Sequence, residues 1–242
     1  MSERGSFFSF FTKEKRQLAL EIAKLPKIKI DLFRDDVARQ AYEDFTSPHR
    51  LMPFVAKKSF GAALIDLSDE EVSSLSTLKY ARRRYNRSLK HGHVFRKFDA
   101  VKEIDALMEI NKSTNFRQGS QLTENYFDRQ HVEEVARKET PSFGIFSSED
   151  KLLAYTHAPI IGDAFVYSWI LGHDEYLQMG TMFHLVADTN RWMREHYIAN
   201  RYPRWAFYDM FLGSSSGLRY FKEKAGFVPY RVTWRWAGEI KS

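Results

Sequence analysis

The amino-acid sequence predicts an α+β fold, a mixed, mostly antiparallel central sheet flanked by helices. Three observations carry that prediction. From Ser142 onward, three runs of strand character follow one another with only short turns between them. A helix, a strand, a helix and a last strand then alternate to the end of the pattern. The 242 residues are 43% hydrophobic and 15% aromatic, which supplies a real core and excludes disordered, collagenous and coiled-coil classes.

The elements follow in order. Ser6 to Phe11 is an aromatic entry segment, and Leu18, Ile22 and Leu25 give Thr12 to Leu25 helical spacing, ended by Pro26. Lys27 to Phe33 alternates polar and apolar residues, the period of a half-buried strand. Asp35 to Phe45 suits a short helix, Thr46 to Pro53 a loop, and the apolar run Phe60 to Leu67 a buried strand. Ser68 and Glu71 have capping-box spacing, so one helix is expected from there through Val72, Leu75, Leu78, Tyr85 and Leu89 to a Gly92 cap. Val94 to Phe98 reads as a strand, and Val101, Ile104, Leu107 and Met108 as one face of a second helix. Ser142 to Phe146, Leu152 to Ile161 and Ala164 to Leu171 are the three strands. Gly180 to Tyr197 is a helix, Trp205 to Met210 a strand, Ser214 to Ala225 a helix and Val228 to Trp236 the final strand.

Composition bounds the function. The chain contains no cysteine, which removes disulfides, thiolate nucleophiles and thiolate metal sites together. No apolar run reaches the ~18 residues of a membrane span, and Ser6 to Phe11 is too short for a signal peptide, so a cytoplasmic protein is expected. The net charge is +6, yet Lys79 to Lys97 holds eight Lys and Arg residues and no acid, which leaves −2 for the remainder. That segment points to a partner bearing phosphate or carboxylate. It is either a solvated face or a phosphate-capturing one, with Tyr80 and Tyr85 available to stack on bases. Arg83, Arg87 and Lys90 share one helical face, while Arg82 is expected to project towards Leu78 and Tyr85, with one or two arginines packed and the rest exposed. The eight histidines show no metal-ligand spacing, and P-loop, G-x-G-x-x-G and G-x-S-x-G patterns are absent.

Phe221-Lys222-Glu223-Lys224-Ala225-Gly226-Phe227-Val228-Pro229 resembles the last helix and strand of the GNAT superfamily of N-acyltransferases. Gln178-Met179-Gly180-Thr181, between a strand and a helix, is similar to the place where that family holds its donor's phosphates on main-chain N–H groups. The physics is general: a glycine admits close approach, and a helix start favours an anion. The coenzyme-A pattern is broken by Leu177 and Met182, and Lys222 stands where many acetyltransferases carry a tyrosine. Leu67 to Phe98, Asp174-Glu175-Tyr176, Tyr208-Asp209-Met210 and Gly217-Leu218-Arg219-Tyr220-Phe221-Lys222 are similar to the FemAB-like peptidyltransferase branch.

This resemblance covers roughly residues 65–236 and implies a GNAT-like acyltransferase domain over 65–242, with 1–64 an N-terminal helix and strand extension packed on it. The implied activity moves an acyl or aminoacyl group from an activated donor to an amine acceptor by direct attack. Acyl-CoA or aminoacyl-tRNA would be the co-substrate, and no cofactor would be permanently bound. Asp209, Lys222 and Tyr220 are the implied catalytic residues. Gln178, Gly180 and Thr181 would bind the donor, with Arg83, Arg84 and Arg87 attracting its phosphates. A non-catalytic RNA-binding protein, possible through tRNA capture by the basic segment, is the competing expectation.

Overall fold

A computed structural model describes residues 20–49, 52–73, 75–114, 116–117 and 120–239. Ser6 to Phe11 and the first part of the Thr12 to Leu25 helix lie outside these residues; 20–24 are helical. The principal sheet is built from β1 (Lys27–Arg34), β4 (Phe60–Asp66), β10 (Ala164–Val166), β12 (Trp205–Met210) and β13 (Val228–Glu239), in the order β1-β13-β4-β12-β10. The β1–β13 and β10–β12 pairs are parallel, and β4 is antiparallel to both its neighbours. A second, antiparallel sheet has the order β11-β9-β8-β5, from β5 (Val94–Lys97), β8 (Ser142–Phe146), β9 (Leu152–His157) and β11 (Ser168–Gly172).

Burial explains these elements. The five central positions of the seven-residue β4 are all buried, so both faces are covered. Ala62 and Leu64 face a cluster with Ile30, Phe45, Phe207 and Trp234, including Ala38 of α1 (Asp36–Thr46). Ala63 and Ile65 face the other cluster, with Leu185 and Met193 of α6 (Thr181–Asn200) and Phe227. Asp35 caps α1, its carboxylate accepting the Ala38 N–H at 3.0 Å. In the second sheet Phe143 and Ile145 point to α6, while Phe146, Leu152 and Tyr155 point to α4 (Ile104–Lys112) and α5 (Arg129–Ala136).

Several sequence expectations are corrected. The boundary at residues 64 and 65 falls inside β4, a central strand, so residues 27–66 share one core with the rest. The Thr46 to Pro53 loop contains β2 (Pro48–His49), paired with β3 (Met52–Ala56). The long helix from Ser68 is two: α2 (Glu70–Ser73) and α3 (Lys79–Lys90). Leu75 takes a left-handed φ of 58° between them and buries its side chain against Ala81 and Ala187. Asp69 rather than Ser68 supplies the cap, accepting the Glu71 N–H at 2.9 Å. Val101 lies in the turn before α4 and is 49% exposed, outside the buried face. Ser215 caps α7 (Ser216–Lys224), so that helix starts later than the Ser214 expected. Gly92 adopts φ 74° at the end of α3, as its expected cap role requires.

His157, in the middle of the second sheet, makes a measurable pH dependence. Its ring is almost wholly buried, with Nδ1 2.8 Å from Ser142 Oγ, and burial pushes its pKa from 6.5 down to about 4. The unfolded chain therefore takes up a proton below pH 6.5 that the folded one refuses until about pH 4. Stability from this group is intact above pH 6.5 and falls by roughly 3 kcal/mol by pH 4. Urea unfolding at pH 7 and pH 4.5 is expected to show that loss, and His157→Gln to flatten it.

Candidate active site

The Ala164 to Leu171 strand of the sequence divides between the two sheets. Up to Val166 it pairs with β12, and Tyr167 N–H still donates to Phe207 O at 2.8 Å. From Ser168 the chain pairs with β9 instead. Two backbone irregularities drive the parting. Trp169 has φ 49° where the β11–β9 register shifts, and Asp209 has φ 50° where the β12–β4 register shifts. Left-handed non-glycine residues of this kind cost about 1–2 kcal/mol and are held by their surroundings. The sheets thus splay beyond Tyr167 and Phe207, and the C-terminal ends of β11 and β12 form the two sides of the opening. Tyr167 is buried where they part; its hydroxyl donates to Asn190 Oδ1 at 2.7 Å and burial, then Tyr208, raises its pKa well above 10.

Lys222, on α7, is fully buried beside the end of β12. Its Nζ donates to the Met210 carbonyl at 2.7 Å and lies 4.7 Å from the Tyr208 ring centroid. Burial is the largest cause lowering its pKa to about 8; Asp209 opposes that shift and Lys58 adds to it. Asp209 is exposed at the strand end and is ion-paired with Lys58, from the turn between β3 and β4. Trp234 fixes that turn by donating its indole N–H to Lys58 O at 3.0 Å. Asp209 and Lys222 are therefore brought together, and Lys58 joins them. Tyr220 is not: it lies on another face of α7, 49% exposed, with its ring 5.9 Å from Tyr80 of α3.

The donor-loop residues and the arginines meet each other. A Cβ on Gly180, where φ is 89°, would lie 2.1 Å from the Arg84 carbonyl oxygen. The glycine thus admits the backbone of α3 against the start of α6, and that packing accounts for it. Arg84 also donates to Leu177 O at 3.0 Å. Thr181 is buried, its hydroxyl donating to Tyr176 O at 3.2 Å, while Gln178 is exposed. Arg82, Arg83 and Arg87 are exposed and make no ion pair among the described residues, so Arg84 is the packed arginine and Arg82 does not project inward. Behind them Ser88 Oγ lies 2.9 Å from both His93 Nδ1 and His184 Nδ1, and His184 Nε2 is 3.0 Å from Asp188, a buried network that ties α3 to α6. Lys58, Tyr167 and Trp169 were missed by sequence reasoning; a lysine in a polar turn and aromatics within strands carry no signal of their role.

A mixed sheet that splays at its centre, with a long helix after one splayed strand and a short helix after the other, is a fold this chain shares with solved structures. No family model and no curated protein sequence matches the chain. Solved structures of similar fold include FemX, at 12% identity and a TM-score of 0.54 over 70% of this chain and 59% of that one. L-PGS from Bacillus licheniformis is similar at 17% identity and a TM-score of 0.51, over 72% and 61% of the two chains. A conserved protein of unknown function from Bacteroides thetaiotaomicron is similar at 14% identity and 0.54, over 71% and 58%. The chain spans about three fifths of the length of each of these structures.

Proposed function

We propose that the chain is an N-acyltransferase that moves an acyl or aminoacyl group from an activated donor to an amine. The observation that carries the reading is the buried Lys222, with its pKa near 8, at the splayed end of β12 beside the exposed Asp209. An amine nitrogen attacks the donor carbonyl, the C–N bond forms, and the bond to the leaving oxygen or sulfur breaks. The proton shed by the attacking nitrogen passes to the leaving group. Lys222 supplies positive charge to the developing oxyanion in a site sheltered from water, where such charge counts most. Asp209, steadied by Lys58, orients the acceptor amine. The absence of a cysteine suits direct transfer without a thiol-bound intermediate.

For the donor, aminoacyl-tRNA fits better than acyl-CoA. The Arg84 backbone stands against Gly180, and Arg83 and Arg87 of α3 are exposed with no ion pair among the described residues. In this reading Arg83 and Arg87 meet the tRNA backbone, whereas Gly180, Thr181 and Arg84 seat α3. Acyl transfer is tested by incubating the chain with radiolabelled aminoacyl-tRNA, with acetyl-CoA, and with a panel of amines. Turnover of the thioester alone would reject the tRNA donor. The arginine face has its own test. Arg83→Gln/Arg87→Gln is expected to weaken tRNA binding in fluorescence anisotropy and reduce the salt slope by roughly 1.4–1.8. Unchanged affinity and slope would make the face a merely solvated one.

The RNA-binding reading without catalysis is favoured by the same arginine face. Two cavities on the described surface, about 280 Å³ between α4 and α5 and about 320 Å³ beside β13, also lie away from the splay. Binding of tRNA with no transfer from any donor would select it.

A further inference from the structure

The β1–β13 pair places charges in two contrasting ways on one face. Asp31 stands opposite Arg235 in the parallel register, and the two form an ion pair. Four residues earlier on the same strands and the same face, Lys27 stands opposite Arg231, like charge against like. Directly opposed like charges destabilise a sheet. Neither Lys27 nor Arg231 has an ion-pair partner among the described residues. The carboxylate of Asp44, two residues before Thr46 of the same wall, is already engaged by Lys57.

These two cations flank a groove of about 320 Å³ between β13 and the turn that joins β3 to β4. That volume lies at the small end of ligand sites. Ser59 and Thr233 contribute hydroxyls to its wall, and Val55, Ala56 and Phe60 give it an apolar side. The Arg231 guanidinium lies 5.2 Å from the Phe60 ring centroid, which fixes the plane of its donors. We propose that this groove binds a small amphipathic anion, with a carboxylate or phosphate between Lys27 and Arg231 and an apolar or aromatic body against Val55 and Phe60. An oxyanion there would turn the Lys27–Arg231 repulsion into two charge-assisted hydrogen bonds. The site is separate from acyl transfer and stands whether or not that reading holds.

The test is a titration of the full chain with phenyl phosphate, phenylacetate and inorganic phosphate, followed by the backbone amide resonances of Lys27, Ser59, Arg231 and Thr233. One of the two phenyl compounds is expected to shift these amides and saturate by about 10 mM, as a Kd near 1 mM requires. Preference for phenyl phosphate identifies a phosphate ester as the natural class, and preference for phenylacetate a carboxylate. Lys27→Gln and Arg231→Gln are each expected to lower the affinity about tenfold. Lys27→Glu, which copies the Asp31–Arg235 arrangement, is expected to abolish binding and raise Tm. Amides that do not move with either phenyl compound, or shifts that persist unchanged in both glutamine variants, would overturn the proposal. So would inorganic phosphate binding as tightly as phenyl phosphate, because the apolar wall would then contribute nothing.

Discussion

Lys222→Met is expected to lower acyl-transfer turnover by about 10²–10³-fold while leaving the fold intact. Methionine keeps the length and flexibility of the side chain and removes only its charge. Lys222 is fully buried, and among the described residues its ammonium donates one hydrogen bond, to the Met210 carbonyl. Burying an ammonium is costly, and removing that charge offsets the loss of its hydrogen bond to the Met210 carbonyl. Equilibrium unfolding of the variant therefore separates the two roles: a structural lysine would lose stability, a catalytic one only rate. The pH profile gives a second readout. If the ammonium form acts, turnover falls as pH rises through about 8, where burial has brought this lysine. Lys58→Ala removes the like charge that helps depress Lys222 and frees Asp209 to face it, so the falling limb is expected to move to higher pH. A limb that stays in place would sever Lys58 from the site.

Gly180→Ala carries the other large effect, on stability. The new Cβ would meet the Arg84 carbonyl oxygen at 2.1 Å, and that oxygen belongs to the backbone of α3, which cannot rotate away. The φ of 89° adds a left-handed penalty of about 1–2 kcal/mol. With overpacking strain of about 1–3 kcal/mol, a total loss near 3 kcal/mol is expected in urea unfolding. The damage should fall on the α3–α6 seam, where His184 and Ser88 meet, and be read as faster amide exchange at Ala81 to Lys90. A variant as stable as the parent would mean that α3 does not sit against this glycine.

Much of the architecture was legible because its signals are local. The alternation of Lys27 to Phe33, the apolar run of β4 and the three-to-four-residue repeat of α6 each name their element without help from distant residues. The splay was not legible. It depends on left-handed turns at Trp169 and Asp209, and neither residue type announces φ above zero. The break between α2 and α3 escaped for the same reason, since Leu75 fits the helical stripe and yet is buried by leaving it. Asp209 and Lys222 were singled out through a resemblance in sequence, whereas Lys58 pairs with Asp209 across 151 residues and offers no pattern of its own. Periodicity could say that some arginines of α3 are packed; only the glycine opposite identifies Arg84.

The placement of β4 has a consequence for how the molecule is made. Translated early, this apolar strand must wait for both of its flanking partners, β12 and β13, which arrive some 140 to 170 residues later. Until then its two hydrogen-bonding edges are bare, the condition under which nascent chains aggregate or recruit chaperones. Pairings this remote also make for slow collapse into the native topology. Folding in the cell should accordingly be post-translational and helped, and a version permuted to carry β4 after β13 should refold faster from urea.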